Sequence, residues 1–125
     1  MESWNALETG RKINPPRITF SLSKTIRFNK PLIEEYDLTK GKYVQIYFKE
    51  ESEGFRVAFE FLEEKKNKEL MLSFDQGGSA FISGHSLLTT LNLDVSEMNN
   101  RIFEPKIEDM GKIKLLVIEI QKDAI

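Results

Sequence analysis

The chain has 125 residues, of which 40% are hydrophobic and 30% charged, with seven glycines and four prolines. That is the length of one domain, and the composition excludes a disordered, collagenous or low-complexity polymer. The formal net charge of −2 hides an uneven distribution: +1 over residues 1–62, 0 over 63–69 and −3 over 70–125. With no cysteine, disulfides, thiol nucleophiles and thiolate metal sites are excluded, which suits a reducing compartment. The opening MESWNALETGRK lacks the apolar core of a signal peptide, and no apolar run nears the roughly 18 residues of a membrane span. A cytoplasmic protein that leaves the membrane alone is expected.

Residues 1–16 are polar and end in Asn14-Pro15-Pro16, which neither continues a helix nor donates to a sheet, so a flexible N-terminal arm is predicted there, with a single domain over 17–125. From Arg17, the residues Ile18, Phe20 and Leu22 alternate with Thr19, Ser21 and Ser23, and the alternation resumes at Ile26 and Phe28. A period of two predicts two short strands, or one bent strand, with one covered face. Asn29-Lys30-Pro31 then has the chemistry of a helix start, and Leu32, Ile33 and Tyr36 fall at helical spacing up to about Leu38. YVQIYFKE (43–50) and FRVAFEFL (55–62) are rich in β-branched and aromatic residues, and the ESEG between them predicts a hairpin.

EEKKNKE (63–69) reads as a solvated connection. Beyond it the same order returns: strands in ELMLSF (69–74) and AFIS (80–83) around Gln76-Gly77-Gly78, and a short helix over 85–92 with Leu87, Leu88 and Leu91 on one face. RIFEPKI (101–107), a turn around Asp109-Met110-Gly111 and KIKLLVIEI (112–120) complete it. Adding 55 to a position in the first half carries Ile26 to Phe81, Leu32 to Leu87, Ile33 to Leu88 and Tyr36 to Leu91; beyond the helix the offset becomes 58, taking Val44 to Ile102. The expectation is an internal duplication, residues 17–62 and 69–121, each β-β-α-β-β with one short helix. A single unit of that size has exposed strand edges and an unpaired apolar face. The second copy supplies matching apolar strands at Ile102-Phe103 and at Leu115 to Ile118, and the near-continuous apolarity of the latter predicts burial on both faces.

The run SLSKTIRFNKPLIEEYDLTKGKYVQIYF, followed by a turn and FRVAFEF, resembles the swapped-hairpin module of AbrB-type transition-state regulators and MazE-type antitoxins. The likeness lies in the small polar loop, the apolar-Arg-apolar strand Ile26-Arg27-Phe28, the short helix, the connection Leu38-Thr39-Lys40-Gly41-Lys42 and the hairpin. It covers residues 18–61 well and 72–120 more weakly. Asn29 stands where the family usually has proline, and Ile82 replaces the strand arginine in the second half. In the family two chains exchange hairpins to close one small barrel. The resemblance therefore implies a mostly β, pseudo-twofold small β-barrel closed within one chain, either a monomer acting as a pseudo-dimer or a homo-oligomer, with arginines presented to DNA.

Little here can be built into catalysis. The one histidine, His85, falls at a helix start, no GxSxG, HExxH or P-loop spacing occurs, and Gln76-Gly77-Gly78-Ser79 reads as a turn before a phosphate cradle. The acidic pairs Glu34-Glu35, Glu50-Glu51, Glu63-Glu64 and Glu108-Asp109 belong to turns and helix surfaces, and no ligand cluster suggests a metal. A non-enzyme without cofactor is expected. The positive signal is a run of six cations without an acid, Arg11, Lys12, Arg17, Lys24, Arg27 and Lys30. Such a run predicts phosphate contacts, with Ser23, Thr25 and Asn29 beside it for hydrogen bonds. Two rivals remain. Tyr43, Tyr47, Phe55 and Phe59 would stack bases if they shared an open face, as in a Whirly-like single-stranded-DNA-binding sheet, although a core needs such residues too. Alternatively the acidic second half docks a basic protein, as in an antitoxin or a phage or mobile-element accessory protein. The rivals separate on whether the cations form an open face or pair with acids such as Glu34, Glu35 and Glu60.

Overall fold

The computed structural model describes residues 15–99, 101–111 and 113–121. The expected arm, with Arg11 and Lys12, lies outside them except for Pro15 and Pro16. Strands β1 (Ile18–Phe20) and β2 (Thr25–Phe28) form a hairpin. Its turn closes through Lys24 N–H to Ser21 O and Ser21 N–H to Thr25 O. Leu22 does not extend the covered face as expected: it lies in this turn and is 60% exposed.

Helix α1 (Lys30–Glu35) starts as its sequence demands. The Asn29 side-chain oxygen accepts from Leu32 N–H at 3.1 Å and from Arg17 N–H at 2.9 Å, while its amide donates to Pro15 O at 3.0 Å. One residue thus caps the helix and ties down the chain entering β1. The helix stops short of Leu38, because Asp37 adopts a positive φ of 55° and Leu38 N–H closes back on Ile33 O. Replacing Asn29 by alanine is expected to lose about 1–2 kcal/mol, at the upper range for a capping residue because three bonds go at once. Urea unfolding measures it.

The hairpin β3 (Tyr43–Glu51) and β4 (Gly54–Leu62) has only Ser52-Glu53 in its turn. In the connection that follows, Glu69 is buried and not solvated as expected: its carboxylate accepts from the N–H groups of Lys66 and Asn67. The strand expected over 69–74 is two, β5 (Leu70–Met71) and β6 (Ser73–Phe74). Leu72 between them is buried and donates to Lys42 O, and there the chain leaves one sheet for the other. β7 (Ala80–Ser83) leads into α2 (His85–Thr90), which buries Leu87 and Leu88 beside Leu91. A third helix was not expected: α3 (Val95–Met98) is capped by Asp94, which accepts from Ser96 N–H at 2.9 Å, and buries Met98. The strand expected over 101–107 is broken at Glu104-Pro105 into β8 (Ile102–Phe103) and β9 (Lys106–Met110), since proline has no N–H for a ladder. β10 (Ile113–Gln121) ends the described chain.

The fold is mostly β, two five-stranded antiparallel sheets ordered β6-β7-β2-β1-β8 and β5-β3-β4-β10-β9. The expected closed barrel is not formed. The chain passes between the sheets at both edges, but at Leu72 and at Glu104-Pro105 the ladder is interrupted, so covalent corners stand where hydrogen bonds would close a barrel. Each sheet contains strands from both halves of the chain, with β2 on β7 in the first and β4 on β10 in the second.

One core cluster fills the space between the sheets. Ile18, Phe20, Ile26 and Phe28 of the first meet Val44, Val57, Phe59, Leu116, Ile118 and Ile120 of the second. Phe28 lies at the junction, its ring edge-on to Phe59 and Phe61 at 5.4 and 4.9 Å. β10 is buried on both faces over Leu116–Ile118 only; Leu115 is half-buried and Glu119 exposed. Phe103 packs on Phe20 at 5.6 Å, but Ile102, expected in the core, is 57% exposed, because it pairs with Thr19 on the outward face.

Candidate nucleic-acid interface

Strand alternation separates the two faces of the first sheet. Ile18, Ile26, Phe28, Ala80 and Ile82 point inward and are buried, so Thr19, Arg27 and Phe81 point outward. Register aligns these outward residues in one row: Ile102 of β8 opposite Thr19 of β1, Thr19 opposite Arg27 of β2, and Arg27 opposite Phe81 of β7. Beside the row, Ser21 and Ser23 hydroxyls lie 2.7 Å apart and Ser23 and Thr25 hydroxyls 3.0 Å apart. Together they line a groove of about 630 Å³.

Arg27 is the centre of this groove. Its guanidinium lies 5.9 Å from the centre of the Phe81 ring, and its Nη1 donates to Asp75 Oδ2 at 2.6 Å. Both partners remain in contact with water, the side chains being 48% and 31% exposed, where ion pairs contribute little stability. The other Asp75 oxygen accepts from Gly77 N–H at 2.9 Å and Ser79 N–H at 3.0 Å. The Arg27 hydrogen bond foremost, and these two backbone N–H groups, hold the Asp75 carboxyl below the usual carboxylate range despite partial desolvation. A depressed folded-state value means that the pair stabilises the fold above the ordinary carboxylate pKa and loses that effect as pH falls through the lowered one. The donors of the Gly77-Gly78 turn are consequently spent on the chain's own aspartate, which answers the phosphate-cradle question against a cradle.

The other cations lie around Arg27. Lys24 is exposed in the turn before β2, its backbone held at φ 62° with its carbonyl accepting from Gly84 N–H at 2.6 Å. Lys30 is exposed just past the other end of β2, its aliphatic stem against Gly78. Arg17 is half-buried, with its Nε enclosed and without a hydrogen-bond partner among the described residues. Among the described residues, Arg17, Lys24 and Lys30 form no salt bridge, and Glu60 accepts from the Tyr47 hydroxyl instead. Of these four cations, only Arg27 has an acidic partner among the described residues, and it is Asp75, not one of the acids named from the sequence.

The stacking platform of Tyr43, Tyr47, Phe55 and Phe59 does not exist. Register puts Tyr47 opposite Ala58 and Phe55 opposite Glu50, so the tyrosines and phenylalanines are on opposite faces of the second sheet, with Phe55 and Phe59 buried. His85 is exposed at the first residue of α2, and the four acidic pairs are exposed. Among the described residues no three His, Asp or Glu side chains gather as a metal site, and no helix is long and apolar enough to cross a membrane. Sequence reasoning missed Phe81 and Asp75. The offset of 55 put Phe81 in the place of buried Ile26, but Ala80 and Ile82 turn inward and Phe81 faces out; Asp75 was not legible, because its partner lies far away in the chain. Comparison with family models, with curated proteins and with solved structures returned no match.

Proposed function

We propose that the chain is a non-enzymatic, regulator-like DNA-binding protein that meets its ligand with the outer face of the first sheet. The carrying observation is the groove in which Arg27 is surrounded by Thr19, Ser21, Ser23 and Thr25, with exposed Lys24 and Lys30 at either end of β2. Cations would take the phosphates and hydroxyls the sugar and base edges.

The same proposal includes a pseudo-twofold pair of swapped-hairpin-like repeats, and strand order supports it: β6-β7 and β2-β1 lie on either side of the β2–β7 contact in the first sheet, and β3-β4 and β10-β9 on either side of the β4–β10 contact in the second. The offsets of 55 and 58 do not hold in these strands, since they carry buried Ile26 to outward-facing Phe81 and buried Val44 to exposed Ile102, whereas a twofold axis between antiparallel strands keeps equivalent residues on one face.

Anisotropy of labelled DNA at a series of salt concentrations tests the binding. Four cations on phosphates give a log–log salt slope of roughly −3 to −4, and Arg27→Ala should flatten it by about one while the protein melts normally. Ile82→Ala, in the core, should lower the melting temperature without changing the slope. If the parent binds neither single- nor double-stranded DNA at low salt, or if Arg27→Ala binds as the parent does at every salt, the reading fails. The Arg27–Asp75 pair then favours the second reading, a protein-interaction module whose cations serve internal contacts.

A further inference from the structure

We infer that the nucleic acid taken by this face is single-stranded, laid across the strands with a base on Phe81, and that Asp75 occupies the place of its phosphate. The inference rests on the nucleic-acid reading above and narrows it.

The row from Ile102 through Thr19 and Arg27 to Phe81 crosses four strands, and three strand spacings make about 14 Å. Its ends are an exposed aliphatic side chain and a half-exposed aromatic ring, and its middle is a hydroxyl and a guanidinium. Unstacked bases match the apolar ends and the backbone between them matches the polar middle. A duplex keeps its bases stacked inside and offers this row only phosphates, leaving Phe81 and Ile102 without partners. Aromatic stacking on an open sheet, with an arginine beside the ring, is how single strands are held without regard to sequence.

Asp75 fits the role of a resident anion. One of its oxygens is fixed by Gly77 and Ser79 N–H groups, and only the other holds Arg27. Arg27 can therefore leave for a phosphate while the 75–79 turn keeps its own hydrogen bonds. No equivalent acid neutralises Lys24 or Lys30 among the described residues. The carboxylate sets how much of the arginine's charge is available, and so limits affinity.

The experiment compares a labelled oligothymidine single strand with a duplex of equal length, using the whole chain at two salt concentrations. The single strand is expected to bind at least about tenfold more tightly. Phe81→Ala should weaken it by about tenfold and leave the duplex within about twofold, while Phe81→Trp retains binding. Asp75→Asn keeps an oxygen for Gly77 and Ser79, and should tighten the single strand several-fold and steepen its salt slope by about one. Melting curves establish that each variant is folded. A duplex bound as well as the single strand, or Phe81→Ala and Phe81→Trp both behaving as the parent, overturns the inference; with Arg27→Ala still flattening the slope, nucleic-acid binding survives it. If neither strand form binds, both fall together.

Discussion

Replacing Gly54 by alanine is expected to remove about 3 kcal/mol of stability, the upper range for forcing atoms into a packed site. Gly54 pairs with Glu51 on one side and with Gln121 on the other, so β4 is fixed by neighbours on both edges. A Cβ built there runs into Ile120 O and comes within 2.8 Å of Gln121 Cα. Both are backbone atoms of β10, so no rotamer change relieves the contact and the strands themselves must separate. The φ of Gly54 is ordinary, hence the requirement is for space, not for a left-handed backbone. Gly77→Ala is the comparison: its Cβ meets only the Asp75 carboxylate, at an ordinary 3.5 Å, and unfolding should be nearly unchanged. Equal denaturation midpoints for the two variants would refute the close approach of β4 and β10.

The second large effect belongs to Phe28→Ala, for which a loss of about 3–5 kcal/mol is expected. Phe28 is fully buried and edge-on to two rings of the opposing sheet, so truncation opens a cavity between the layers that neither sheet can fill without moving. Against a total of about 5–15 kcal/mol for a domain, this single change removes a large share of the margin. Phe48 provides the contrast. It shares the inward register of Val57, its partner, but is 53% exposed, in the stretch of β3 from Tyr47 to Glu51 that is exposed throughout. Phe48→Ala should shift the midpoint by less than about 1 kcal/mol.

The sequence was legible wherever one local rule decided the outcome. Alternation at Ile18, Phe20, Ile26 and Phe28 placed β1 and β2, the Asn29 cap and Pro31 started α1, and helical spacing buried Leu87, Leu88 and Leu91. The two corners were missed because an apolar run does not announce a bend: Leu72 only continues the run Leu70-Met71, and only Pro105 carried a breaking signal. The signal for α3 was present in Asp94-Val95-Ser96-Glu97, an N-cap acid with glutamate three residues on, but one turn is too short for periodicity to register. Of the site, the basic stretch and its hydroxyls could be read in line. The ion pair of Arg27 with Asp75 and the ring beside it come from strand pairing across the whole chain, which no local pattern encodes.

Because each sheet draws strands from both halves of the chain, the order of synthesis and the order of folding cannot coincide. Ile18 at the start of β1 waits for Phe103, and Phe55 in β4 waits for Ile120. While the ribosome is still making the second half, β2 and β4 have free edges and the inner face of Phe28 and Phe59 is uncovered. Pairings this distant in sequence put folding toward the slow, milliseconds-to-seconds end of small domains, and the nascent first half is the species most exposed to edge-to-edge association.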